Sequence, residues 1–305
     1  MPPSKTKTPA AASNQVYGIF LIVLGALLIG FMPTSAKIAY NDGANALTVL
    51  LYRSIFGAAG LAIYLVWRRQ PVHIGRENRR GAMLAALSHM GAAIGILGSI
   101  AYIDVSLASV ILFLFPFVVA IVNHTRGVTR LTAPVLGLMV VAIGGLSLAL
   151  GVSLDGLNMT GLALAFFGAA AIAWMVLSVS DFSSKVGPLQ ANLHMVLWAA
   201  VYFAAIAVIA PATGLIAPLA HPAGIAGWLG MAGAGLTFTF GYVCFFVSAE
   251  IIGTTRASIL SILEPVFIIA VAIIVLGEML STLQWVGMAL VLGSLFAMEL
   301  VRARN

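Results

Sequence analysis

The stretch Thr254–Ser281, TTRASILSILEPVFIIAVAIIVLGEMLS, decides how the rest of the chain is read. A long apolar run carries an acid and a proline side by side at its centre, Glu264-Pro265, and closes on a polar Gly277-Glu278 corner. If a helix enters near Thr254, Glu264 lies ten residues in, roughly 15 Å at about 1.5 Å per residue, or half of a hydrocarbon core about 30 Å thick. A carboxyl near the midplane marks a substrate or ion pathway, and Pro265 frees a backbone carbonyl one turn earlier that only protein or water can satisfy. Both effects point to an internal cavity.

Composition extends that reading to the whole chain. The 305 residues are 62% hydrophobic and 8% charged, far from the roughly 25% charged residues of soluble domains. This is an all-α, polytopic membrane protein. The formal net charge of +6 sits mostly in short loops between apolar runs, so it reports topology, and no nucleic-acid partner is expected. The single Cys244 lies inside an apolar segment and reads as a packing residue; no metal site and no cofactor are expected. Residues 1–15, MPPSKTKTPAAASNQ, lack the apolar core and cleavage site of a signal peptide and read as a disordered cytoplasmic tail.

Ten runs have about the length a bilayer needs: Val16–Ile38, Ala46–Trp67, Gly81–Ile103, Val105–Asn123, Leu131–Leu150, Asn158–Val179, Leu189–Ala210, Ala226–Val247, Thr254–Leu276 and Leu283–Val301. Ten spans put both termini on one side. With the termini inside, thirteen Lys and Arg residues face the cytoplasm, Arg68, Arg69, Arg76, Arg79, Arg80, Arg126, Arg130, Lys185 and Arg256 among them. Outside, only Lys37 remains, and Arg53 lies within a span. That asymmetry sets the orientation.

The chain also repeats itself. Ala108-Ser109 followed by Pro116 returns 149 residues later as Ala257-Ser258 followed by Pro265, and Leu131-Thr132 returns as Leu280-Ser281 at the same offset. Gly18, Gly25 and Met32 return 143 residues later as Gly161, Gly168 and Met175. Five spans per half is an odd number, so the second half inserts upside down relative to the first, as in many transporters. The organisation is a five-helix repeat over 16–150 and an inverted one over 158–301. Phe115 stands at the place of Glu264, so whatever Glu264 does is done once per protein.

The segment Ala257–Ser281, ending in LGEMLS, resembles the EamA-type branch of the drug/metabolite transporter superfamily, and the likeness covers nearly the whole chain. AYIDVSLASVILFLFPF (101–117) is similar to the equivalent family segment, and Arg53 after Tyr52 matches an arginine common there. One departure is HTRGVTRLT (124–132), where the family usually carries Gly-Glu after span four. The resemblance implies a ten-helix bundle of two inverted five-helix repeats in a bacterial inner membrane, exporting amino acids or other small metabolites.

Candidate site residues each carry two readings. Glu264 is either a titrating or amine-binding carboxyl, or an acid that hydrogen-bonds the backbone freed by Pro265. Arg53, about seven residues into its span and so roughly 10 Å deep, binds a substrate carboxylate or pairs with Asp104, Glu264 or helix-end carbonyls. His89 shuttles protons, binds substrate or simply packs. Trp174, the counterpart of Phe31, stacks on an aromatic substrate or fills the core, and Tyr242 lines the cavity with a hydroxyl that needs a partner. His194 and Tyr202 are weaker candidates of the same kind. Pro33, Pro116 and Pro265 are candidate helix breaks.

Neither HExxH, GxxxxGK[ST] nor GxSxG occurs, so the chain is not expected to be an enzyme or an ATP-driven pump. The leading expectation is a secondary transporter working by alternating access, with a small-molecule substrate and membrane lipid as partners, as a monomer or homodimer. An uncoupled facilitator or exchanger, a multidrug exporter of the same fold, and an intramembrane enzyme or scaffold are the alternatives. The basic asymmetry makes a test: in intact cells a cysteine at Asn78 or Asn305 is shielded from impermeant reagents, while one at Asp155 reacts. Labelling at Asn78 from outside would overturn the orientation.

Overall fold

The computed structural model describes residues 9–127, 132–150, 158–213, 217–253, 257, 260, 261 and 263–304. Lys5, Lys7, Arg130, Leu131, Asp155, Arg256, Ser258 and Asn305, used above for topology and repeat, lie outside the described residues. All described regular elements are helical. In chain order they are α1 (Pro9–Asn41), α2 (Ala46–Trp67), a short 3-10 turn (Arg76–Asn78), α3 (Arg79–Ser99), α4 (Val105–Leu112), α5 (Phe115–Thr125) and α6 (Ala133–Leu150). The second half brings α7 (Met159–Val186), α8 (Pro188–Thr213), α9 (Ile225–Ile252), α10 (Leu263–Val271), a wider turn of helix over Ala272–Leu276, and α11 (Thr282–Arg304).

Among the described residues seven stretches are long and apolar enough to cross a membrane, and three shorter apolar helices accompany them, Ala133–Ala149, Leu263–Leu276 and Thr282–Met298. Helix begins at Pro9, so the expected tail over 1–15 gives up its second half to α1. Pro33 does not break α1, which runs on through it. Pro116 does mark an interruption: α4 ends at Leu112, and Pro116 is the second residue of α5, where a missing N–H costs nothing. Pro265 stands likewise in the first turn of α10.

Helix packing follows a two-fold pattern. α1 packs on α9 and α10, and α2 packs on α9. Replacing each helix by its counterpart in the other repeat turns those contacts into α7 on α3 and α4–α5, and α8 on α3, all of which exist. The pairs α6–α11 and α2–α8 map onto themselves. The described helices therefore form two groups related by the repeat, here called bodies, each mixed from both halves of the sequence: α1, α2, α9 and α10 in one, and α7, α8, α3 and α4–α5 in the other, with α6 and α11 paired beside them.

Glycines set the tightest crossings, where small side chains let backbones touch. A Cβ on Gly25 of α1 would stand 2.8 Å from the carbonyl of Gly241 on α9, and one on Gly168 of α7 would stand 3.1 Å from the Gly95 backbone on α3. These are the same contact in the two bodies. Gly25→Ala is therefore expected to force α1 and α9 apart and to cost about 1–3 kcal/mol, the usual penalty of overpacking. The measurement is the thermal midpoint in detergent, with Gly137→Ala as the control that does not fall, since nothing lies within 4 Å of an added Cβ there and alanine favours the helix.

Candidate functional site

Between the two bodies lies a cavity of about 640 Å³. At one end its wall is closed by Ile100, 1% exposed, and by Val105, fully buried. At the other it reaches Ser183 and Pro188, which are only half-buried, at the junction of α7 and α8. The cavity thus opens toward the end of the bundle that holds Lys185 and is shut toward the end that holds Asn41.

Arg53, His89, Tyr242 and Glu264 all line it, as do Pro33, Pro116 and Pro265. The structure brings together four of the five candidate side chains. Trp174 is the exception: it is 49% exposed on the outside of α7, while Ile172, Met175, Val176 and Val179 of the same helix face the cavity. Its repeat partner Phe31 is exposed too, so the two aromatic rings share an outward face. His194 is turned away and bonds Gln190 O through Nδ1 at 3.0 Å, and the Tyr202 hydroxyl donates to Met83 O at 3.2 Å. Neither lines the cavity.

Arg53 is 3% exposed, and its guanidinium carbon lies 4.5 Å from the centre of the Phe238 ring. Among the described residues it makes no ion pair with Asp104 or Glu264, and its Nη1 has no hydrogen-bond partner. A cation–π contact is worth roughly 0.5–2 kcal/mol, much less than the cost of burying an unpaired charge. The guanidinium is stable there only if water or an anion in the cavity completes its shell. His89, on the other side, also meets Phe238, with ring centres 5.7 Å apart, and its buried Nε2 is unpartnered among the described residues.

Glu264 reaches the cavity from α10. Ser261 O, the carbonyl that Pro265 cannot serve, accepts the backbone N–H of Glu264 at 2.9 Å. The backbone repairs itself, so the carboxyl is not needed for that purpose and remains available to the cavity. Tyr242 feels both charges: its ring centre is 4.8 Å from that of Phe238, and it lies within electrostatic reach of both Arg53 and Glu264.

Sequence reading missed Asn192. It is 5% exposed, lines the cavity, and its Nδ2 has no partner among the described residues. An amide inside an apolar span was the available signal, but His194 drew the reading instead. Residues two apart point in nearly opposite directions on a helix, so only one of them faces inward. Ser109, read only as a marker of the repeat, and Phe238, a member of an apolar helix, also line the cavity. No group of three or more His, Cys, Asp or Glu residues able to hold a metal occurs among the described residues.

One solved crystal structure superposes on 96% of this chain and 98% of its own, with a TM-score of 0.61 at 16% identity, a likeness that concerns the fold alone. No curated protein sequence matches the chain. A family model does match, described as the EamA-like transporter family, and it matches twice, over residues 16–151 and 159–300. The two matches coincide with the two repeats that the packing relates by symmetry. A bundle of apolar helices around a largely apolar cavity with a few polar side chains agrees with that match, which over most of the chain makes it a member of the EamA-like transporter family.

Proposed function

We propose that the protein is a secondary transporter that exports amino acids or other small metabolites across the bacterial inner membrane by alternating access. The three shorter apolar helices complete ten spans, the repeats over 16–150 and 158–301 are inverted, and both termini are cytoplasmic. The observation that carries this reading is the cavity between symmetry-related bodies, into which Arg53 and Glu264 both project without pairing with each other. Its volume falls within the roughly 300–1,000 Å³ of small-molecule sites. A zwitterion suits it: a carboxylate answers Arg53, an ammonium answers Glu264, and the apolar wall of Phe113, Phe245 and Phe246 takes the side chain.

Orientation supports export. Arg68, Arg69, Arg76, Arg79, Arg80 and Lys185 cluster at the end toward which the cavity opens, and the positive-inside rule makes that end cytoplasmic. A cavity open to the cytoplasm is the loading state of an exporter. The two bodies, not the two sequence halves, are then the parts that move against one another.

Flux of amino acids, nucleobases and cationic drugs into proteoliposomes, with and without a pH gradient, tests the proposal. Saturable flux of an amino acid is expected, with Arg53→Gln raising the half-saturating concentration for carboxylates at least tenfold, since losing a charge-assisted hydrogen bond is worth about 1.5–3 kcal/mol. Glu264→Gln keeps the shape but cannot titrate. If Glu264 carries the coupled proton, this variant still exchanges substrate but loses accumulation driven by the gradient. Full accumulation in Glu264→Gln would sink proton coupling through this residue, and loss of binding in a folded variant would make it a ligand for the substrate amine. Flux confined to cationic drugs would favour the multidrug reading, and absence of any saturable flux would overturn the transport proposal.

A further inference from the structure

Several hydrogen bonds join the two bodies at the closed end of the cavity. On α1, the Lys37 ammonium donates to Ile100 O, and the Tyr40 hydroxyl donates to Leu97 O at 2.7 Å. Both acceptors belong to the corner between α3 and α4, in the opposite body. From beyond α10, Glu278 reaches the same corner: its Oε1 accepts from Val105 N at 2.8 Å, and its Oε2 accepts from Ser106 N at 3.1 Å and from Ser106 Oγ at 2.6 Å. At the open end, among the described residues, the exposed Gln190 donates to Pro71 O at 3.2 Å, on the α2–α3 connection that links the bodies covalently.

We infer that Lys37, Tyr40 and Glu278 form a clasp that holds the Asn41 end shut, and that its release opens the cavity to the opposite side. The chemistry of the corner explains why these groups bind it. A helix start leaves its first amides without partners, and a C-terminal turn leaves its last carbonyls exposed. Asp104, the residue placed to cap α4, makes no side-chain cap bond, so Glu278 from the other body supplies the carboxylate. Ile100 and Leu97 carbonyls at the end of α3 take the two donors of α1 in the same way. Gly277, in a left-handed conformation with φ of +70°, turns the chain sharply enough to place Glu278 over α4.

In sequence the repeat positions on the other face carry different chemistry. At the repeat offsets of 143 and 149, Lys37, Tyr40 and Glu278 correspond in sequence to Ser180, Ser183 and Thr129, so an ammonium, a phenol and a carboxylate are replaced by three short hydroxyls. Symmetric bodies with asymmetric fastenings rest with the fastened end shut. The inference rests on the transport reading for its purpose, but its test needs no substrate.

The test is distance measurement by paired spin labels on the full chain in lipid nanodiscs, in a Cys244→Ser background. One pair, Asn41→Cys with Tyr102→Cys, spans the clasped end, and the other, Lys185→Cys with Glu250→Cys, spans the open end; all four native residues are exposed. With the clasp intact the first distance is expected to form one short population and the second a long one. Tyr40→Phe, which removes a single oxygen, is expected to add a longer population at the first pair and a shorter one at the second, and Lys37→Met with Glu278→Gln added is expected to make those populations dominant. Unchanged distances at both pairs in the folded Tyr40→Phe and combined variants would overturn the clasp. Such a result leaves the flux test of transport untouched, while a chain that carries no solute yet trades its distances as described retains the clasp and loses the transport reading.

Discussion

Hydrocarbon offers no partner to a charge, and this constraint orders the rest of the bundle. An arginine and a glutamate lie well inside the apolar spans, and neither could stay there facing lipid. Both turn into the space between the two bodies, where Phe238 and Tyr242 stand around them without neutralising them. A bundle selected only for stability would pair Arg53 with Glu264 or replace both by leucines, since buried ion pairs are seldom worth more than good apolar packing. Keeping them apart and unpaired is costly, and the cost is intelligible if something with its own charges occupies the cavity for part of the cycle.

Much of this was legible in the sequence because membranes simplify the code. Span lengths, the basic asymmetry and the position of Glu264 beside Pro265 each follow from one physical rule, and α2 runs over the residues that apolar length alone assigns, Ala46–Trp67. The repeat was legible through Pro116 and Pro265, because proline leaves a mark on the backbone that apolar drift does not erase. Which face a residue turns inward was not legible. Trp174 and Asn192 show why: in lipid both faces of a helix are apolar, so the amphipathic signal that sorts a soluble helix is missing, and a tryptophan on the outside looks like one on the inside. Pro33 misled for a different reason, since a proline in an apolar helix is tolerated wherever neighbouring helices serve the freed backbone.

The composition of the two bodies was also hidden. Sequence symmetry suggests that residues up to 150 move against those after 158, yet close crossings such as Gly25 on Gly241 and Gly95 on Gly168 tie each half to the other. Those contacts are backbone against backbone and leave no room to slide far, so each pair travels together. Interleaving has a mechanical consequence. The α2–α3 and α8–α9 connections become links between bodies, and a rocking motion needs only such links and the ends of the cavity to change.

Exact symmetry would make the two end states equal in energy, which serves a device that must face either side but gives it no resting place. A few substitutions between the repeats remove that equality at little cost to the fold, because they fall at helix ends rather than in the crossings. Glu264 against Phe115 gives the cavity a carboxyl from one repeat and not the other, and Glu278 against Thr129 gives one face a carboxylate fastening. The first difference concerns what is carried, and the second concerns which side waits for it. In a symmetric scaffold, then, the informative residues are those at which the repeats disagree, and they disagree here in the cavity and at the corner between α3 and α4.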